Sequence, residues 1–379
     1  MTRAVVTGRD PRSGRPLTIA MEDGRVAEIE PGPADEPAWI SSGLIDLQVN
    51  GYGGHDLNGG SVTAETVKAL AERLRRLGVT TFLPTVITAS EAAIIDALRA
   101  IAQARGADSL LAHSIPYVHV EGPHLAPEDG PRGAHPLHHV RPPDLSEFER
   151  WQDASGGLVG LVTLSPHYTE AGPYIRTLTA RGVHVALGHT NASPEQITAA
   201  VDAGAVLSTH LGNGAAAFLP RHPNLIWAQL AEDRLTATFI CDGHHLPWDT
   251  FKAMVRAKGV ASSILVSDTV ALAGLPPGRY DQPVGGTVEL SADGHLGIAG
   301  TPFLAGAVRP LAEGVARAAS CGGLSLAEAL AMASAHPGRF VGHRGRLAVG
   351  ASADVLRFFW SAGETSLRID RVFVRGEEA

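Results

Sequence analysis

The sequence predicts an α/β protein: a (β/α)8 TIM-like barrel with a small β-sandwich domain formed by the N- and C-terminal segments. Three observations lead there. Apolar runs of strand length alternate with helical patterns through the middle of the chain, both chain ends read as short strands and turns, and nearly every middle strand finishes on a polar residue. The 379 residues would also fit two average domains, so the order of the elements decides.

The first forty or so residues carry LTIAMEDGRVAEIEPG, an Asp-Gly turn between alternating runs, as in a hairpin. The strands that follow are LIDLQVN (44–50), TTFLPTV (80–86), IPYVHVE (115–121), LVGLVTLS (158–165), HVALGH (184–189), AVLSTH (205–210), ATFICD (237–242) and SILVSD (263–268). Between them TAETVKALAERLRRLG, SEAAIIDALRAIAQARG, PEQITAAVDAG and PWDTFKAMVRAKG have helical spacing, several with Ser or Thr in front as caps. Eight such units are the number that closes a barrel. PVGGTVELSADGHLGIAG then reads as a β-hairpin insertion near 284–300, and a long helix is expected over Leu304–Ser320. RLAVGASADVLRFFW and SLRIDRVFVRG are again strand-like, so residues 1–43 and 344–379 are expected to form the small domain and 44–343 the barrel.

Composition bounds the function. No apolar run is long enough to cross a bilayer, the N-terminus lacks the pattern of a signal peptide, and two cysteines give no disulfide framework, so a cytoplasmic protein with no membrane partner is expected. A net charge of −8 with scattered Lys and Arg speaks against a nucleic-acid partner. The 17 histidines are unusual, and their positions matter more than their number.

In a barrel the strand ends converge on one mouth, where enzymes of this fold keep their chemistry. Glu121, His189 and His210 then make a one-carboxylate, two-imidazole set suited to a divalent ion, and Asp268 faces them as a group that can take a proton from water and return it to a leaving amine. Any one of these alone would more often anchor a loop. Four together, each at the end of its own strand, favour metal-assisted hydrolysis. Around the same mouth, GPRGAHPLHH brings His135, TLSPHY brings Ser165 and His167, and CDGHHLP brings Asp242, His244 and His245. LGNGAAAFLPR offers the backbone N–H groups of Gly212, Asn213 and Gly214 with Arg221 nearby, a loop able to grip an anion.

In this order, GLIDLQVNG, HVEGPH, RGAHP, LGHTNAS, THLGNG, CDGHH, LVSDT and GASADV resemble the motifs of the N-acetylglucosamine-6-phosphate deacetylases, a branch of the amidohydrolase superfamily. The resemblance spans essentially the whole chain. It implies a homodimer that removes the N-acetyl group of an amino-sugar phosphate, with Glu121, His189 and His210 as metal ligands, Asp268 as catalytic acid/base and His135 polarising the acetyl carbonyl. It further implies that Asn213, Gly214 and Arg221 bind the sugar phosphate and that His245 is the histidine reached from the neighbouring subunit. Gln48-Val49-Asn50 stands where two-metal members carry His-X-His; carboxamides are poor ligands for zinc, so one divalent ion per subunit is expected, Zn2+ or Fe2+.

Two departures mark the sequence. The family's bulky aromatic followed by Asn-Ala-Met is replaced by Gly212-Asn213-Gly214-Ala215, which is expected to enlarge the pocket, and His167 stands where a glutamate is common. Rival substrates are N-acetylgalactosamine 6-phosphate and unphosphorylated N-acetylhexosamines. A two-metal cyclic amidase is disfavoured by Gln48 and by Ser165 in place of a bridging lysine, and a silent sugar-binding protein by the intact Asp268 and ligand set.

Overall fold

The structure is a computed structural model that describes residues 3–282 and 285–379. Eight parallel strands form the central sheet: Leu44–Val49, Val79–Ile87, Val118–Glu121, Val159–Leu164, His184–Leu187, Leu207–Ser208, Thr236–Ile240 and Ser263–Val266. The sheet closes on itself where Val49 bridges Thr269 in parallel and the Asp268 N–H donates to the Gln48 carbonyl at 2.9 Å. Closure removes both edges and turns every strand's C-terminal end toward one mouth.

Two apolar layers hold the barrel. Inside it lie Ile45, Leu47, Leu83, Leu161, Leu207, Ile240, Ile264 and Val266, side chains bulky enough to fill the tube rather than leave a pore. Outside, helices pack their apolar stripes on the sheet. Helix Ala64–Arg76 buries Val67, Leu70, Ala71 and Leu74, the i, i+3, i+4, i+7 set of one helical face, and Val67, Leu70 and Leu74 each contribute roughly 1.5–3 kcal/mol. The expected caps form: Thr63 accepts from the Thr66 N–H, Ser90 from Ala93, and Ser193 shares a capping box with Gln196.

The chain ends combine into one seven-stranded sheet, in which Val355–Phe359 pairs antiparallel with Trp39–Ser42. The Asp-Gly hairpin is present, with Asp23 and Gly24 both left-handed at φ 50° and 77° between Pro16–Glu22 and Arg25–Pro31. Bonds from Val26 N–H to Ala351 and from Gly350 N–H to Val26 fold the sheet over a core of Val6, Ile19, Met21, Ile40, Val355 and Phe373.

A buried polar contact ties this sheet to the barrel. Asp354 accepts from His113 Nε2 at 2.9 Å and from the Arg375 N–H at 3.0 Å. Burial alone would raise the Asp354 carboxyl, but the His113 hydrogen bond and charge hold it below its ordinary 3.8. A depressed carboxyl stabilises the fold above its unfolded pKa and loses that contribution as pH falls through the folded value. His113→Ala should therefore lower the unfolding free energy at pH 7 by about 2–4 kcal/mol, a deficit that shrinks in acid. Urea midpoints at pH 7 and near pH 3 measure it; equal losses at both would remove the ionised Asp354 from the account.

Two expectations change. The last helix starts at Leu311, not Leu304: Pro310 lacks the N–H a helix interior needs, Gly306 sits at φ 136°, and Ala305 and Ala307 bond to Leu296 and Val270 instead. The insertion is a three-stranded sheet, Gly278–Gln282, Gly286–Leu290 and Leu296–Ile298, so the expected hairpin gains a preceding strand; Val284, its first residue, lies outside the described residues.

Candidate active site

Glu121 is the last residue of the third strand, and His189, His210 and Asp268 each lie just past the ends of theirs. These three carry positive φ, 48°, 28° and 51°, among six such non-glycine residues described. L side chains avoid that region, and a chain keeps such strain mainly where a site needs a side chain turned inward. The turn swings each side chain off the strand direction at the barrel mouth.

Glu121, His189 and His210 are buried, with one ligand atom from each lying within 4.8 Å of the others. His210 Nε2 is 3.0 Å from Glu121 Oε1, and the two Nε2 atoms are 3.1 Å apart. His189 Nδ1–H donates to the Pro131 carbonyl at 2.8 Å, which leaves an Nε2 lone pair aimed at His210 Nε2. Burial pushes the Glu121 carboxyl up, yet His189 and His210 hold it well below the usual carboxylate range. A carboxylate and two imidazole nitrogens converging on one point fit a divalent cation, with the His189 Nδ1–H bond to the Pro131 carbonyl setting the tautomer a ligand requires.

The carboxamides of the first strand are neighbours of this cluster and bond its carboxylates. Gln48 Nε2 donates to Glu121 Oε1 at 3.0 Å, and Asn50 Nδ2 donates to Asp268 Oδ1 at 2.7 Å. Each spends its N–H on a carboxylate of the site and so fixes that carboxylate's rotation. Burial, with the Glu121 charge adding, raises the Asp268 carboxyl to about 6.

His135 is brought to the same place. Its ring lies edge-on to His189, centroids 4.4 Å apart, with Nδ1 at 2.9 Å from Thr88 Oγ1. Burial, with the His189 charge adding, pushes its pKa down to about 3, so the ring is neutral.

Asn213, Gly214, His245 and the four strand-end residues line one cavity of about 690 Å3 with His135. His245 lines the cavity of its own chain, with Nδ1 2.7 Å from buried Asp242 Oδ2. Arg221 is exposed and outside the cavity lining. Neither does the glycine loop simply widen the pocket. A Cβ at Gly212 would meet Leu246 at 2.9 Å, and one at Gly214 would meet His189 Nδ1 at 2.8 Å, so neighbours already occupy those spaces. Ser165 and His167 bond each other at 2.6 Å outside the cavity, and His244 bonds the Asp293 carbonyl.

Sequence reasoning missed part of the wall. Val288, Leu296, Ile298, Phe303 and Leu304 close one side, which the hairpin signal foretold only as an insertion. Arg132 is the one Lys or Arg among the described lining residues, and Asp129 and the Pro127 and His135 carbonyls occupy it.

A closed barrel with a cluster able to hold a divalent ion at its mouth is the arrangement of a metal-assisted hydrolase, and residues 39–379 match the Amidohydrolase family, to which the chain belongs. Within it the chain belongs with the N-acetylglucosamine-6-phosphate deacetylases. It is 33% identical over 384 residues to N-acetylglucosamine-6-phosphate deacetylase of Bos taurus, covering 97% of this chain and 90% of that protein. It is 31% identical over 377 residues to N-acetylgalactosamine-6-phosphate deacetylase of Escherichia coli O157:H7, covering 95% and 94%. The crystal structure of N-acetyl-D-glucosamine-6-phosphate deacetylase from Mycobacterium smegmatis matches it with a TM-score of 0.85 at 27% identity, over 96% of this chain and 95% of that one. No helix among the described residues is long and apolar enough to cross a membrane.

Proposed function

We propose that this chain hydrolyses the N-acetyl group of N-acetylglucosamine 6-phosphate to glucosamine 6-phosphate and acetate in the cytoplasm. The observation that carries the reading is the convergence of Glu121, His189 and His210 beside Asp268 and His135 on one cavity. The first three would hold one Zn2+ per subunit. Such an ion supplies Lewis acidity toward the acyl oxygen and lowers the pKa of nearby water. Asp268 takes the proton of the attacking water as the C–O bond forms at the acyl carbon, and His135 donates a hydrogen bond to the oxyanion. When the C–N bond breaks, Asp268 returns that proton to the departing nitrogen, so water is split between acetate and amine and no net proton stays on the protein.

Asn213, Gly214 and His245 line the cavity where the sugar would sit. Phosphate recognition is assigned to Arg221 of a second copy: Arg221 lies outside its own cavity, and the neighbouring Phe218 and Trp227 are 93% and 54% exposed, a surface that a homodimer would cover. Arg221→Met should raise KM for the phosphorylated sugar by about tenfold or more, with kcat changed far less, since a charge-assisted pair contributes about 1.5–3 kcal/mol. Acetate release from N-acetylglucosamine and N-acetylgalactosamine, each with and without 6-phosphate, tests the whole reading. Release from none would end it, and equal rates with and without phosphate would end the phosphate assignment.

A further inference from the structure

Thr88 follows the second strand and is 1% exposed. Its hydroxyl has two partners, His135 Nδ1 at 2.9 Å and the Glu121 backbone carbonyl at 3.5 Å. The hydroxyl fits there because residue 122 is glycine; a Cβ at Gly122 would lie 2.2 Å from Thr88 Oγ1.

His135 is held on its other sides. Its ring rests edge-on against His189, and its carbonyl accepts from Arg132 Nη1 at 2.9 Å. What stays open is the position of its single ring proton. A neutral imidazole offers the cavity either an Nε2–H donor or an Nε2 lone pair, according to which nitrogen the proton occupies.

Thr88 decides between them. A carbonyl can only accept, so a hydroxyl that donates to Glu121 would have to accept from Nδ1–H, leaving a lone pair at Nε2. A hydroxyl that donates to Nδ1 puts the proton on Nε2. At 2.9 Å the bond to Nδ1 has ordinary length, whereas 3.5 Å to the carbonyl is at the limit of a hydrogen bond. We propose that Thr88 is a positioning residue that locks His135 as its Nε2–H tautomer, so that the ring faces the cavity as a donor to the acyl oxygen and not as a second base. The lock follows from the geometry; what the N–H meets rests on the proposed deacetylation.

The test uses full-length chain labelled with 15N-histidine, the His135 signals being identified by their loss in His135→Asn. Two-bond 15N–1H spectra distinguish the tautomers. Wild type and Thr88→Ser should show Nε2–H, while Thr88→Val and Thr88→Ala should gain the Nδ1–H form. In Val and Ala variants kcat for acetate release should fall roughly tenfold to a hundredfold with KM within about twofold, whereas Thr88→Ser stays within about threefold of wild type. Nδ1–H in the wild type, or a purely Nε2–H ring in both hydroxyl-free variants, would overturn the proposal without reference to activity. Absence of acetate release by wild type would sink the deacetylase reading alone and leave the tautomer pattern to judge Thr88.

Discussion

Asp268→Asn should abolish turnover while leaving the metal cluster in place, with kcat falling about 10³–10⁴-fold and KM changing little. The substitution keeps the shape of the side chain, yet an amide can neither take the proton of the attacking water nor return it to the amine. It also keeps an oxygen for the Asn50 amide, which now donates to Asp268 Oδ1 at 2.7 Å. Glu121, His189 and His210 make their contacts without Asp268, so metal content should match wild type. The wild-type acid limb carries the same assignment. Asp268 must be ionised to act as base, and burial with the Glu121 charge places its carboxyl at about 6. A bound cation can only lower that, so kcat/KM should rise with pH along a limb whose midpoint lies at or below about pH 6. Asn50→Leu removes a hydrogen bond that favours the ionised form and should move the limb upward. Turnover of Asp268→Asn within tenfold of wild type, measured as acetate release, would give the proton transfers to another group.

The residues that bear this weight were legible because they occur at repeated places in a repeated unit. Glu121, His189, His210 and Asp268 each lie at or just past the end of a strand that an apolar run announces, and barrel closure converts that shared place into proximity. Neighbours that act across the barrel were not legible in the same way. Gln48 reaches Glu121 over 73 positions, and from sequence it could be judged only as a poor ligand, not as the donor that orients one. Thr88 has no motif, since a threonine closing a β-strand is ordinary. The glycine loop misled for a related reason. Loss of side chains at Gly212 and Gly214 says nothing about which neighbour takes the space, and here Leu246 and the His189 ring take it. Arg221 is near Asn213 in sequence but exposed outside the cavity, because the intervening segment leaves the barrel mouth. Helix onset at Leu311 was hidden because residues 304–308 are as apolar as a helix face, and Pro310 with Gly306 overrides that pattern.

His210→Ala should reduce bound metal from one ion per chain to a small fraction and take acetate release down with it. Apparent zinc affinities of about 10–16 kcal/mol spread over four ligands give roughly 3 kcal/mol each, about a hundredfold in affinity for one ligand lost. At this site the loss goes further. Glu121 keeps its charge in a buried position because His189 and His210 hold it down against burial, so removing one imidazole leaves the carboxylate with His189 and the Gln48 amide alone. Its pKa should rise, and a protonated carboxyl is a poor ligand, so two of the three protein ligands weaken together. Gln48 and Asn50 direct N–H groups, not lone pairs, at the carboxylates of the site, so one ion per wild-type chain is the expected count. Elemental analysis after dialysis against free zinc about tenfold above the wild-type Kd is therefore expected to find close to one ion per wild-type chain and under about a tenth in His210→Ala. Two ions in wild type, or full occupancy in the variant under those conditions, would show that the cation is held by a different set of residues.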